Sequence, residues 1–137
     1  MELSSIKPTS LSVGATVRSA LLADPCVARL VKEIAPLGVP AETSLPYIVY
    51  ARGRYSQVPV KGLPGPDLLE LDLIICTEDY PESILLAEAV RAALDGKQIT
   101  PATPDMVPVR GCWLSGGDGE LIDGDAVIQH LTFTLKI

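Results

Sequence analysis

Residues 68–96, LLELDLIICTEDYPESILLAEAVRAALDG, decide the fold of this chain. Their first part, residues 68–77, alternates between two sets of side chains. One set is wholly apolar and the other is mixed: Leu69, Leu71, Leu73 and Ile75 against Glu70, Asp72, Ile74 and Cys76. A period of two predicts a strand with one face in the core. The mixed face begins acidic and becomes apolar, so part of it must be covered by a helix or by another chain.

The second part of this stretch predicts the most clearly defined helix of the chain. Asp79 and Glu82 form a D-x-x-E capping box, and Pro81 suits the first turn of a helix. From residue 84 to residue 95, apolar side chains recur at intervals of three and four, opposite charged ones. Gly96 then provides a C-terminal stop.

Patterns on either side of this stretch complete an α+β chain. Residues 12–23 have the apolar spacing of a helix, and Asp24 followed by Pro25 begins a second, short helix. Three further segments predict strands: residues 45–52, 109–114 and 127–137. The predicted order is therefore α-(α)-β-β-α-β-β. Because strands that follow one another without a helix pair antiparallel, we expect a mostly antiparallel sheet of four or five strands with the helices packed on one face.

The length of 137 residues suits one domain. We expect residues 1–11 to form a flexible N-terminal arm and residues 12–137 to form a single α+β domain. Residues 53–66 contain six glycines or prolines, which predicts a long irregular loop. The basic and aromatic side chains in and beside it predict a contact loop: Arg52, Arg54, Tyr55 and Lys61.

Composition and charge exclude several classes of function. A formal net charge of −6 and a pI near 4.6 oppose binding to nucleic acid through its phosphates. No apolar run is long enough to span a membrane, and residues 1–12 lack the apolar core of a signal peptide, so we expect a cytoplasmic product.

The charge is also divided unevenly along the chain. Residues 1–66 hold seven basic and four acidic side chains, whereas residues 67–137 hold four basic and 13 acidic ones. Two copies of the chain are therefore able to attract one another through opposite halves. The alternative is that these charges neutralise one another within a single mixed surface.

Candidate catalytic groups are few. The one histidine, His130, lies on the polar face of a predicted strand, where a solvated side chain is expected. There is no glycine-rich phosphate-binding motif. Cys26, Cys76 and Cys112 are odd in number and lack metal-binding spacing, which predicts buried free thiols. We expect no enzymatic activity and no cofactor.

The acidic segment at residues 116–125 leaves one alternative open. Asp118, Glu120, Asp123 and Asp125 carry the oxygen ligands that Ca²⁺ and Mg²⁺ prefer, and a small metal-dependent hydrolase would use them. The segment lacks the register of a calcium-binding loop, and Asp-Gly pairs are common in β-turns. We therefore expect turns without a metal here.

The remaining observations concern surfaces and point to an interaction protein. Three residues fall on sheet faces that are not assigned to the core: Ile74, Cys76 and Ile128. Together with the contact loop they complete the candidate interface: Arg52, Arg54, Tyr55, Lys61, Ile74, Cys76 and Ile128.

The order and spacing of four segments resemble the small tail-completion, or tail-terminator, proteins of long-tailed bacteriophages and prophages. These segments are VRSALLADPCVARLV at 17–31, LPYIVY at 45–50, residues 71–96 and HLTFTLKI at 130–137. The strongest likeness is in the helix at residues 80–96, where Ile84 is an unusually apolar substitute. The resemblance covers residues 12–137.

The resemblance implies a non-enzymatic virion component that caps the tail tube and joins it to the head connector, commonly as a hexameric ring. The implied partners are further copies of the chain, the tail tube protein and the connector proteins, with no sequence-specific nucleic acid and no membrane. The implied location is the host cytoplasm during assembly and then the virion tail. Another head–tail adaptor or a minor tail subunit is the alternative within the same class.

Overall fold

A computed structural model describes residues 6–57, 61–62 and 67–137. The helices are α1 (Val13–Ala23), α2 (Pro25–Leu30) and α3 (Tyr80–Leu94), and a 3-10 turn at Ser10–Ser12 precedes α1. The strands are β1 (Glu33–Pro36), β2 (Tyr47–Gln57), β3 (Asp67–Thr77), β4 (Lys97–Ile99), β5 (Val109–Asp123) and β6 (Ala126–Lys136). The fold is a single α+β unit, as the sequence predicts.

The six strands form one mixed sheet in the order β1-β2-β3-β6-β5-β4, and the sheet curls as a half-barrel. β1 is parallel to β2, and every other neighbouring pair is antiparallel. The prediction of four or five strands was wrong because it lacked β1 and β4. These edge strands have four and three residues, too few to display a period of two.

The core lies between the helices and one face of the sheet. The apolar face of β3 is buried as predicted, and Phe133 and Leu135 of β6 continue the same layer. All three helices contribute buried residues to this cluster, including Val17 from α1, Val27 from α2 and Leu86 from α3. Burial of these side chains supplies the main driving force for folding.

Local sequence signals explain where the helices begin. At α3, Asp79 Oδ1 accepts a hydrogen bond from the Glu82 amide at 2.8 Å, and Glu82 Oε1 accepts one from the Glu78 amide at 3.0 Å. At α2, Asp24 Oδ1 accepts from the amides of Cys26 and Val27. These caps satisfy amides that have no partner within the helix, and both were predicted from the sequence.

Two strands are longer than predicted. β2 continues to Gln57, so residues 53–57 of the predicted loop at 53–66 are strand, and residues 58–60 and 63–66 of that loop lie outside the described residues. β5 continues to Asp123, where the sequence predicts turns. Gly117 and Gly119 have positive φ angles of 150° and 96°, and the pairing of β5 with β6 shifts register beside them. Glycines thus form bulges within β5 and do not end it.

One residue of the predicted flexible arm packs against the fold. Ser10 is buried and donates a hydrogen bond to Asp67 Oδ2 at 2.5 Å.

Among the described residues, no helix is both long enough and apolar enough to cross a membrane.

Candidate interaction surface

The sheet face that turns away from the helices carries two rows of directly paired residues, most of which are apolar. The first row crosses four strands and contains Tyr47, Cys76, Ile128 and Leu121. The second row begins with Val49 and Ile74 and continues through His130 to Gly119. The register therefore places Ile74, Cys76 and Ile128, all predicted contact residues, side by side.

These rows form the floor of an open groove of about 630 Å³, which we call the outer groove. Leu37 and Val39, from the segment after β1, line one side, and Asp118 and Asp123 of β5 line the other. Leu37 is 84% exposed and has a positive φ of 63°, an unusual conformation for a residue other than glycine. The outer groove thus combines an apolar floor with an acidic side.

Two groups in the floor are held in their neutral forms. Burial raises the pKa of the Cys76 thiol, and burial together with the neighbouring Cys76 raises the pKa of Tyr47. Both groups therefore stay uncharged at neutral pH. Tyr47 and Cys76 therefore present uncharged side chains to whatever covers the floor.

His130 differs from its prediction as a solvated strand residue. Its side chain is only 15% exposed and lies between Asp72 and Asp118. Nδ1 lies 3.0 Å from the Asp118 backbone nitrogen and 3.1 Å from Asp118 Oδ2, and Nε2 lies 3.2 Å from Asp72 Oδ1. The bulge in β5 brings Asp118 next to the His130 ring. The alternation that predicts a strand does not reveal a bulge, so the sequence did not indicate this contact.

The first residues of the predicted contact loop, 53–57, belong to β2, which pairs with β3 as a hairpin. Arg52 pairs with Leu71 and Tyr55 with Leu69, and the register shift between them leaves Arg54 within a bulge. Lys61 lies in a turn with a positive φ of 52°. The loop prediction was wrong for Arg54 and Tyr55, because a bulge restores pairing beyond Gly53, whereas Arg52 lies in a strand as predicted.

The three basic residues of this hairpin form a patch that we call the basic hairpin end: Arg52, Arg54 and Lys61. All three are exposed, and none of them makes an ion pair with any described residue. The sequence holds no acidic residue from 43 to 66. The positive charges are therefore clustered along β2 and the turn, and the acidic residues nearest to them belong to the paired strand β3: Asp67, Glu70 and Asp72.

Tyr55 has a structural role within the hairpin. The Tyr55 hydroxyl donates to Asp67 Oδ1 at 3.1 Å, and the side-chain Nε2 of Gln57 donates to the same oxygen at 2.8 Å. With the bond from Ser10, these contacts hold the pKa of Asp67 below its usual value, and the bond to Asp67 raises the pKa of Tyr55. The Asp67 carboxylate thus ties the N-terminal segment to both strands of the hairpin.

The four carboxylates of residues 116–125 do not converge. Glu120 accepts a hydrogen bond from Gln129 at 2.6 Å, whereas Asp118 contacts His130 and Asp123 lines the outer groove. Asp125 lies in the turn between β5 and β6. In the described part of the chain there is no group of three or more metal-ligating side chains, so the hydrolase alternative has no assembled ligand set there.

The cysteines are free, but the prediction that all three are buried was wrong for Cys26. Cys76 and Cys112 are buried, whereas Cys26 is exposed near the start of α2. Burial raises the pKa of Cys112 to about 12. The short helix α2 turns Val27 inward and leaves the preceding residue in solvent.

Comparison with known proteins gives a match at the level of the fold. No protein-family model and no curated protein matches the sequence. A solved structure does. The chain is similar to one from the "Virion of native gene transfer agent (GTA) particle", with a TM-score of 0.72 and 18% identity. The match covers 94% of this chain and 98% of that chain, so the two share one fold over nearly their whole lengths.

Sequence reasoning missed part of the outer groove. Tyr47 and Val49 alternate with buried neighbours in β2, which is a signal for a second exposed face, but their place beside Cys76 and Ile74 depends on strand register. Leu121 lies beyond the bulges of β5, in a segment that the sequence assigns to turns. No local pattern indicates its position.

Proposed function

We propose that this chain is a non-enzymatic structural protein of a phage-like particle, a tail-completion protein that caps the tail tube and joins it to the head connector as a ring. The observation that carries the proposal is the end-to-end fold match to a chain of a gene transfer agent virion. The match covers 94% of this chain and 98% of the virion chain, so the likeness extends over nearly the whole fold.

The surfaces described above support an assembly role. The outer groove offers an uncovered apolar floor on a small domain, and such patches are typical of protein–protein contacts. The basic hairpin end offers a second, chemically different surface. A subunit with two unlike contact surfaces is suited to a closed ring, in which each copy contacts two neighbours through different patches.

Localisation within a particle tests the proposal. Particles from a strain that carries this gene would be labelled with a gold-conjugated antibody against the chain and imaged by electron microscopy. Label at the junction of head and tail is the expected result. Label along the tail or at its far tip would indicate a minor tail subunit instead, and particles without label would contradict a virion role.

Ring formation is tested separately by native mass. Light scattering behind a sizing column, across about a hundredfold range of protein concentration, is expected to give a mass near six subunits of 14.5 kDa. A mass of two subunits at every concentration would contradict the ring, because a closed pair uses one self-complementary surface.

A further inference from the structure

We propose that the outer groove of one copy binds the basic hairpin end of a second copy, so that copies associate head to tail. The inference rests on the proposed function in that both require copies of the chain to assemble. It goes further by naming the two surfaces that meet and the charges that select them.

The charges of the two surfaces are complementary. Asp118 and Asp123 line the outer groove, and no Lys or Arg is among the described residues that line it. The Asp118 side chain is 88% exposed and is therefore accessible to a cation from another molecule. The basic hairpin end holds three cations without an acidic partner among the described residues. Such complementarity speeds association and determines which surface of one copy binds which surface of the other.

The apolar floor favours coverage by protein. Leu121 is 50% exposed and Leu37 is 84% exposed at the edges of the outer groove, while Ile74 and Ile128 are half-buried between them. Removing such a surface from water stabilises a contact by about 25 cal/mol per Å² of apolar area. The charges at the side then determine the orientation of the incoming hairpin.

The two surfaces do not meet within one copy of the chain. Cys76 of the outer groove lies near one end of β3, whereas Arg52 pairs with Leu71 and Tyr55 pairs with Leu69 further along the strand. At ~3.3 Å per residue, the five steps from Cys76 to Leu71, the partner of Arg52, span about 16 Å. Among the described residues of one copy, neither Asp118 nor Asp123 forms an ion pair with Arg52, Arg54 or Lys61, so the contact is assigned to a second copy.

Two charge-reversed variants of the full chain test the contact. The hairpin variant carries Arg54→Glu and Lys61→Glu, and the groove variant carries Asp118→Lys and Asp123→Lys. A matched control carries Arg29→Glu and Lys97→Glu, which reverse two exposed positive charges outside both surfaces. Self-association of each would be measured by sedimentation velocity at low salt, and circular dichroism would confirm that each variant is folded.

Each reversed variant alone is expected to raise the apparent dissociation constant about a hundredfold or more, because like charges then face one another. The control is expected to stay within a fewfold of the wild type. An equimolar mixture of the hairpin variant and the groove variant is expected to recover association to within about tenfold of the wild type. In that mixture every hairpin again meets a groove of opposite charge.

Three results would overturn the proposal: a hairpin variant that associates like the wild type, a mixture that does not recover, or a wild-type chain that stays monomeric at high concentration. These failures are distinguishable from failure of the proposed function. The gold label reports whether the protein sits at the head–tail junction whichever surfaces are used. Assembly at that junction without recovery in the mixture would retain the function and reject this contact.

Discussion

The two faces of β3 provide a direct test of which side of the sheet stabilises the domain. Leu73 is fully buried and packs in the core, whereas Ile74, the next residue, is half-buried on the floor of the outer groove. The matched substitutions are Leu73→Thr and Ile74→Thr. Threonine suits a strand, so neither change disfavours the extended backbone.

The expected magnitudes differ because the surroundings differ. Shortening a buried leucine to alanine costs about 2–5 kcal/mol, and threonine refills part of that space but buries a hydroxyl at a cost of about 1–3 kcal/mol. We therefore expect Leu73→Thr to lower the free energy of unfolding by about 3–5 kcal/mol. Ile74→Thr keeps the branched side chain on a partly solvated face, and we expect a loss of about 1 kcal/mol.

Urea unfolding followed by circular dichroism measures both changes. The wild type is first unfolded at two protein concentrations tenfold apart, and the comparison uses a concentration at which its midpoint is constant, because association itself stabilises the folded state. Equal losses for the two variants, or a larger loss for Ile74→Thr, would refute the assignment of the helical side as the core. Sedimentation of the same samples is expected to show weaker self-association for Ile74→Thr.

Three further predictions concern stability, acid and thiols. Replacing the α3 cap, Asp79→Ala, is expected to lower the free energy of unfolding in urea by about 1 kcal/mol, since the Glu82 amide loses its acceptor. The lowered pKa of Asp67 means that its carboxylate stabilises the fold above its ordinary pKa of about 4, and that this stability is lost as pH falls through the lowered value. Asp67→Asn is therefore expected to flatten the decline of the thermal midpoint below about pH 4. In the native protein a thiol reagent is expected to modify Cys26 rapidly, and Cys76 and Cys112 only after addition of denaturant.

Each of these predictions has a contrary outcome. An Asp79→Ala variant as stable as the wild type would mean that the cap contributes nothing measurable, and Asp79→Asn is the control that retains an acceptor. For Asp67, parallel acid-denaturation curves of wild type and variant would contradict the assigned hydrogen bonds. Rapid modification of all three thiols without denaturant would contradict burial of Cys76 and Cys112.

Much of the fold was predictable because its signals are local. The alternation in β3 depends only on the pleat of a strand, and the caps at Asp24 and Asp79 depend on amides two or three residues away. The short edge strands β1 and β4 were not predictable in this way. They are strands because β2 and β5 offer them hydrogen-bonding partners, and their own sequences carry no sufficient pattern.

The candidate surface, like the fold, was predictable only where its signals are local. The sequence by itself determined that Ile74, Cys76 and Ile128 avoid the core face, and that positive charge is concentrated at Arg52, Arg54 and Lys61. Only the tertiary structure decided that the apolar residues adjoin one another and that Arg52 and Arg54 lie beside residues 69–71 of β3, further along the same sheet. Strand register and bulges set these relations, and both depend on pairing between segments far apart in the chain.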